Sequence, residues 1–329
     1  MMDLKSLPKA ELHCHVDGIL DPAMAWDIHR DDPAYPIDPG HFEQAYPITG
    51  MQSFFQWFNY IAPINRELFN FRPILGRHIE RLKAQRVLYS EVMIAASHLP
   101  QDKVEAVERV RAFREWVNQQ ESGDIQIEFL ICCGRNRSLE TMEERAEKIL
   151  LLYEAGLIVG VALAGPEPGY PVKPFHKIFA RFHEAGLNIE VHAGEWCGPE
   201  SVWDALKYGY PNRIGHGVSL FQDARLIDVI RDCHIHIEMC PTSNLKTGSI
   251  TKIEEHPVRK ATELGLSFSI NTDDPGAFEC SMESEYALLV NVLGFSESDL
   301  QKLYANSLEA RFQPKLRISQ LDARTNRLE

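Results

Sequence analysis

LIVGVALAGPEPGYPVKPFHKIFARFHEAGLNIEVHAGE, residues 157–195, is the stretch whose reading decides the fold. It opens on an apolar, β-branched run, Leu157–Ala164, and continues through Pro174–Ala185, where apolar positions recur at spacings of three and four. It closes on a second such run, Asn188–His192. Strand, helix and strand in so short a span require the two strands to run parallel. The same alternation extends outward in both directions. Further runs of strand character are Ala10–His15, Val87–Ile94, Ile125–Cys132, Arg213–His216, His234–Cys240 and Leu266–Thr272. Helical periodicity fills Lys103–Gln119, Leu139–Glu154, Glu200–Tyr208 and Gln222–Cys233 between them. Eight strand and helix units in 329 residues predict an α/β fold, a closed (β/α)8 TIM barrel, and no GxGxxG follows the first strand to favour an open doubly wound sheet.

No Ser/Gly linker, charge block or internal repeat divides the chain, so residues 1–329 are expected to form one domain. Residues 21–86 are too long for one crossover helix and are read as a helical insertion over the carboxyl mouth, and residues 282–329 as terminal helices. With 34 Lys and Arg against 47 Asp and Glu, the formal charge is −13, which repels nucleic acid and anionic membranes at long range. The start of the chain carries acids and a proline where a secretory signal would carry an apolar run, and the longest uncharged apolar stretch, Ala155–Pro166, is too short to span a membrane. A cytoplasmic location is expected. The seven cysteines are scattered and never form a CxxC pair, as expected of reduced thiols.

Polar residues concentrate where the strands end, and the loops of a barrel converge there on one site. The first strand ends His13-Cys14-His15, whose two imidazoles project to one face because side chains alternate along a strand. The fifth ends His192-Ala193-Gly194-Glu195, the sixth Arg213-Ile214-Gly215-His216-Gly217, and the eighth Asn271-Thr272-Asp273-Asp274-Pro275. Each has a bland alternative: a solvated HxH pair, a hydrogen-bonded core His216, an aspartate capping a helix before Pro275. Together, at the same ends of their strands, three histidines and an aspartate suit Zn²⁺ or a similar divalent ion with a position left for water. Such an ion makes water nucleophilic near neutral pH, so the pattern points to metal-assisted hydrolysis.

At these residues the chain resembles the adenosine deaminase family of the amidohydrolase superfamily. The resemblance rests on LPKAELHCHVDG (Leu7–Gly18), LAGPE (Leu163–Glu167), HAGE (His192–Glu195), RIGHGV (Arg213–Val218), CPTSNL (Cys240–Leu245) and NTDDP (Asn271–Pro275), in that order. It implies one catalytic zinc held by His13, His15, His192 and Asp273. It also implies that Glu195 protonates the purine ring, that His216 orients or deprotonates the attacking water, and that Asp273 accepts a proton. His15, Asp17, Gly165 and Asp274 would hold the substrate: Asp17 the ribose, the Gly165 backbone a ring nitrogen, Asp274 the five-membered ring. The implied reaction takes adenosine or 2′-deoxyadenosine to inosine or 2′-deoxyinosine plus ammonia.

Phe54, Trp57, Phe58 and Ile61 stand at i, i+3, i+4 and i+7, an apolar stripe read either as core or, as the resemblance implies, as a lid over the base. Glu91, at the end of the second strand, is read as a carboxylate partner of a ligand or as a solvated acid. Two departures lie near the substrate: Asp31–Gly50 is short and proline-rich, and Pro166 stands where the family usually has Asp or Asn. They leave open a modified adenosine, such as aminodeoxyfutalosine or a 5′-modified nucleoside, or free adenine, although Asp17 in place of Glu leans toward a nucleoside. Two rivals stand further off. A phosphoester or lactone hydrolase would want a second metal, often bridged by a strand-end Lys, and Lys173 and Lys246 only follow strands at a distance. A catalytically silent nucleoside-binding barrel would not need the polar set to be intact.

Overall fold

Short β-branched runs bounded by Gly and Pro, each followed by an amphipathic helix, can bury both faces of their strands only by wrapping a parallel sheet in helices. A computed structural model describes residues 2–121 and 123–312 and shows that outcome. The strands are β1 (Lys9–His15), β2 (Val87–Ala95), β3 (Gln126–Gly134), β4 (Gly160–Ala164), β5 (Asn188–Ala193), β6 (Arg213–His216), β7 (His236–Met239) and β8 (Phe268–Ile270). Each pairs in parallel with the next, in the order β1 to β8. The fold is the expected (β/α)8 barrel. Several strands are shorter than the sequence suggests, because Leu157–Val159, His234–Ile235 and Leu266–Ser267 are connections leading into β4, β7 and β8.

The ring closes through few backbone contacts. Beyond β8 the pairing with β1 continues as a single bridge: the His15 N–H donates to the Asp273 carbonyl (2.8 Å) and the Asp273 N–H to the His13 carbonyl (3.0 Å). Just before it, the Leu12 N–H is taken by the side chain of Asn271 at 2.8 Å. The register of β1 against β2 shifts between Glu11 and Cys14. Below the shift Ala10 and Leu12 pack on Tyr89 inside the barrel, and above it His13 and His15 occupy the inward face, as a bulge permits.

The insertion contains helices Pro22–Asp31, Pro39–Phe42, Met51–Trp57 and Arg72–Ala84. Asp21 and Asp38 cap the first two, each followed by Pro at the first helical position. Arg72–Ala84 packs on β2 as the crossover helix, so only the earlier part of the insertion is additional. The terminal helices are Met282–Asn291 and Glu297–Ala310, each opened by a serine capping box. The remainder of the expected terminal segment, residues 313–329, lies outside the described residues. Among the described residues no helix is long and apolar enough to cross a membrane.

Candidate functional site

His13, His15, His192 and Asp273 meet at the carboxyl mouth, with one ligand atom from each lying within 4.8 Å of all the others. Asp273 Oδ1 is 3.3 Å from His13 Nε2 and 3.4 Å from His15 Nε2, and the Nε2 atoms of His15 and His192 are 3.2 Å apart. All but His15 are buried. Two carboxylates inside the barrel set the rings: His13 Nδ1 faces Glu238 Oε2 at 2.6 Å, and His192 Nδ1 faces Glu190 Oε1 at 2.9 Å. An imidazole whose Nδ1–H is donated to a carboxylate presents an Nε2 lone pair, the form a metal needs. Three imidazoles and a carboxylate, backed in this way, fit a divalent ion such as zinc. Sequence reading did not find Glu190 or Glu238; the signal was an acid standing inside each of two apolar strands.

The backbone has been shaped to this cluster. A Cβ at Gly215 would lie 2.3 Å from Glu190 Oε1 and 3.0 Å from His13 Cε1, so the glycine before His216 makes room for neighbouring side chains. Gly165 has φ +99°, a conformation that glycine adopts without strain and that bares its peptide at the end of β4. Deeper in the barrel Glu238 Oε1 lies 2.5 Å from Arg213 Nε. Arg213 also pairs with Glu91, which accepts from the Tyr89 hydroxyl (2.8 Å) and the Phe312 N–H (2.7 Å). Glu91 is thus a mid-strand acid facing the interior, not one at a strand end, and it reaches His13 only through Arg213 and Glu238.

Ionisation is pushed apart across the site. Burial raises Glu195 well above the ordinary carboxylate range, and the neighbouring Asp273 and Glu167 add to it. Burial also works against ionising Asp273, but the His13 hydrogen bond and the surrounding imidazoles outweigh it and hold Asp273 well below that range. Burial lowers His216 to about 3, which keeps the ring neutral. His13 goes the other way: contacts with Asp273 and Glu238 outweigh burial and raise it well above its usual value. His216 Nε2 stands 3.6 Å from Glu195 Oε2, and the Ser243 hydroxyl donates to Asp273 Oδ2 at 2.6 Å. Asp274 is pushed up by burial, then by Asp273 and Asp17, and its Oδ1 has no hydrogen-bond partner among the described residues.

A cavity of about 650 Å³ opens above the cluster. His15, Asp17, Gly165, His192, Glu195, His216, Asp273 and Asp274 all line it, which leaves His13 beneath the others. Asp17 Oδ1 lies 3.0 Å from His98 Nε2, a neighbour that sequence reading did not single out. Phe54 and Phe58 also line the cavity, but Trp57 does not. Trp57 is fully buried against Phe42, with ring centroids 5.7 Å apart, because the helix ends at Trp57 and the expected four-residue stripe divides there. Phe55 takes the cavity-lining place instead, edge-on to Trp196 at 5.5 Å. A larger hollow of about 1180 Å³ at the opposite end of the barrel holds none of these groups.

The loop that carries Glu195 is tied to one acid. Glu167 accepts the N–H groups of Gly194 (2.5 Å), Glu195 (3.0 Å), Trp196 (2.7 Å) and Cys197 (2.9 Å), together with the Ser201 hydroxyl. Its place in LAGPE was visible in the sequence, but its partners were not.

A parallel eight-stranded barrel with a histidine and aspartate cluster at its carboxyl mouth, facing a buried acid held above the ordinary carboxylate range, defines a hydrolase of the metal-dependent aminohydrolase class. A family profile described as adenosine deaminase matches residues 8–325, and the chain belongs to that family. It is 31% identical over 318 residues to an aminodeoxyfutalosine deaminase of Streptomyces avermitilis, covering 94% of this chain and 87% of the relative. It is 29% identical to an adenosine deaminase of Shewanella loihica, covering 93% and 95%. A crystal structure of adenine deaminase from Arthrobacter aurescens superposes with a TM-score of 0.83 at 26% identity, covering 98% and 99%. The protein is a hydrolytic deaminase of adenine-type substrates, and deaminases of this superfamily depend on a metal.

Proposed function

We propose that the protein converts a 6-aminopurine nucleoside, adenosine or 2′-deoxyadenosine, to inosine or 2′-deoxyinosine plus ammonia, as one cytoplasmic hydrolase domain. One zinc ion would be held by His13, His15, His192 and Asp273. When bound, it supplies the Lewis acidity that makes water a nucleophile near neutral pH. Glu195 hands its proton to the purine nitrogen next to C6, which draws electron density off the ring as the C6–O bond forms. Asp273 takes the proton that the water loses, and His216 fixes the position of the attacking oxygen. The C6–N bond then breaks as Asp273 passes its proton to the amino group, which leaves as ammonia, and the C6 hydroxyl proton restores the carboxyl of Glu195. Asp274, whose carboxyl is pushed up by burial and the neighbouring acids, would donate to a nitrogen of the five-membered ring, the Gly165 backbone would meet another ring nitrogen, and Asp17 would face the ribose. Phe54 and Phe58 cover the base and keep out water.

The observation that carries this reading is the pair Glu195 and Asp273, two acids in one cavity whose environments drive their ionisation in opposite directions. The cavity of about 650 Å³ is larger than a bare purine needs, which supports a nucleoside over adenine. A 5′-extended nucleoside is the second reading, favoured by Arg137 and Arg145. Both line the cavity, and among the described residues neither has an ion-pair partner. An anionic group on the 5′ side would meet them. The test is to incubate the zinc-loaded protein with adenosine, 2′-deoxyadenosine, adenine and a 5′-carboxylated adenosine, following the ultraviolet change to the hypoxanthine chromophore and ammonia release. Turnover of none of the four would end the nucleoside deaminase reading. A preference for the carboxylated compound that Arg145→Ala abolishes would select the second.

A further inference from the structure

Behind His216, away from the cavity, a file of buried polar groups runs through Asn244 and His256 to the backbone of Val258. Val258 opens the helix Val258–Glu263, so its N–H has no acceptor within that helix. It donates instead to His256 Nδ1 at 3.3 Å. A peptide N–H can only donate, so Nδ1 of His256 is the bare nitrogen and its proton sits on Nε2. That N–H lies 3.2 Å from the side chain of Asn244, where only the amide oxygen can receive it. The amide NH2 is thereby turned to His216 Nδ1, 3.2 Å away. Nδ1 of His216 must therefore accept, and the remaining proton of the ring is on Nε2, the nitrogen that faces Glu195. The opposite tautomer would set an Nδ1–H against an amide N–H in a dry interior, leaving two donors without acceptors.

We propose that Asn244 and His256 are positioning residues that lock His216 as its Nε2–H tautomer, so that His216 donates a hydrogen bond to the attacking oxygen and cannot act as the base for water. The polarity is imposed by Val258, whose N–H cannot be reversed by any side-chain rotation. The role assigned to His216 rests on the deaminase reading; the tautomer does not. With Nε2 already protonated, the proton released as the C6–O bond forms has Asp273 as its acceptor.

The experiment is nitrogen NMR of histidine-labelled protein, with and without zinc, His216 being assigned by its loss in His216→Asn. In the unaltered protein Nδ1 of His216 should resonate as a bare ring nitrogen and Nε2 as a protonated one. Asn244→Asp replaces the amide with a carboxylate that only accepts, and should move the proton to Nδ1. It should then lower kcat by about 10²-fold, the usual effect of removing one donor to a developing oxyanion, with KM and zinc content held within a factor of a few. His256→Gln, which removes the fixed donor to Asn244, should yield a mixture of the two tautomers. A protonated Nδ1 in the unaltered protein overturns the relay, whether or not the variants fold. A reversed tautomer with kcat intact overturns the role of His216 as donor. If no aminopurine is turned over, the deaminase reading fails while the spectrum still decides the relay.

Discussion

Glu167→Gln isolates what holds the loop that carries Glu195. Oε1 of Glu167 receives the Gly194 N–H and the Ser201 hydroxyl, and Oε2 receives the N–H groups of Glu195, Trp196 and Cys197. Glutamine keeps only one oxygen. If its NH2 replaces Oε1, the Gly194 N–H loses its acceptor while the Ser201 hydroxyl can turn to accept from the amide; if it replaces Oε2, three N–H groups lose theirs, and the NH2 then opposes them. The smaller loss is one hydrogen bond to a buried charged group, about 1.5–3 kcal/mol, to which is added the loss of a charged acceptor by the three N–H groups left on Oε2. That is a large part of the roughly 5–15 kcal/mol by which domains are stable. Because four of the donors are consecutive peptides flanking Glu195, the local damage falls on the proposed general acid. A displacement on the order of 1 Å there costs about 10²-fold in rate. Denaturant unfolding, zinc content and steady-state kinetics of the variant should show lower stability, intact metal and a reduced kcat. A Glu167→Gln protein within about 1 kcal/mol of the parent, with undiminished kcat, would refute the anchoring argument.

Glu195→Gln should keep its metal and lose about 10²–10⁴-fold in kcat, measured by ammonia release. Since Glu195 is raised, its acid form persists above the pH at which an ordinary glutamate ionises, so kcat should hold on the acid side and decline as pH rises through the raised value. His15→Ala should lose metal on elemental analysis; one retained equivalent would exclude His15 as a ligand. Glu238→Gln, which removes the carboxylate behind His13, should weaken zinc binding about 10–100-fold in competition with a chelator. In the metal-free protein His13 is raised and carries a proton that an ion must displace, so zinc uptake should release protons and weaken as pH falls. Calorimetry in buffers of different ionisation enthalpy reads that release directly; a heat independent of buffer would count against it.

Local pattern carried much of this protein. Alternation of apolar strand and amphipathic helix was enough for the barrel, because parallel strands buried on both faces leave few other arrangements. The spacing of His13 and His15 was enough to set both rings on one face, and the strand-end positions of His192, His216 and Asp273 to bring them to the same mouth. Each of those inferences depends on the geometry of a single element. The insertion was read less well. Its stripe assumed one continuous helix, whereas the helix stops at Trp57 and turns that side chain into the core.

Tertiary structure alone decided what surrounds those residues. Glu238 becomes the partner of His13 because β7 and β1 meet across the barrel interior, and Glu167 gathers a loop 27 residues and more along the chain. The register shift in β1 that lets both Leu12 and His13 face inward, and the left-handed turn at Asp273 that closes the barrel, leave no periodic mark in the sequence. Ionisation belongs to the same class: Glu195 and Asp273 have the side-chain chemistry of any surface acid. Only burial, the charges around them and the direction of their hydrogen bonds drive one to keep its proton and the other to give it up, and those quantities exist only once distant segments have met.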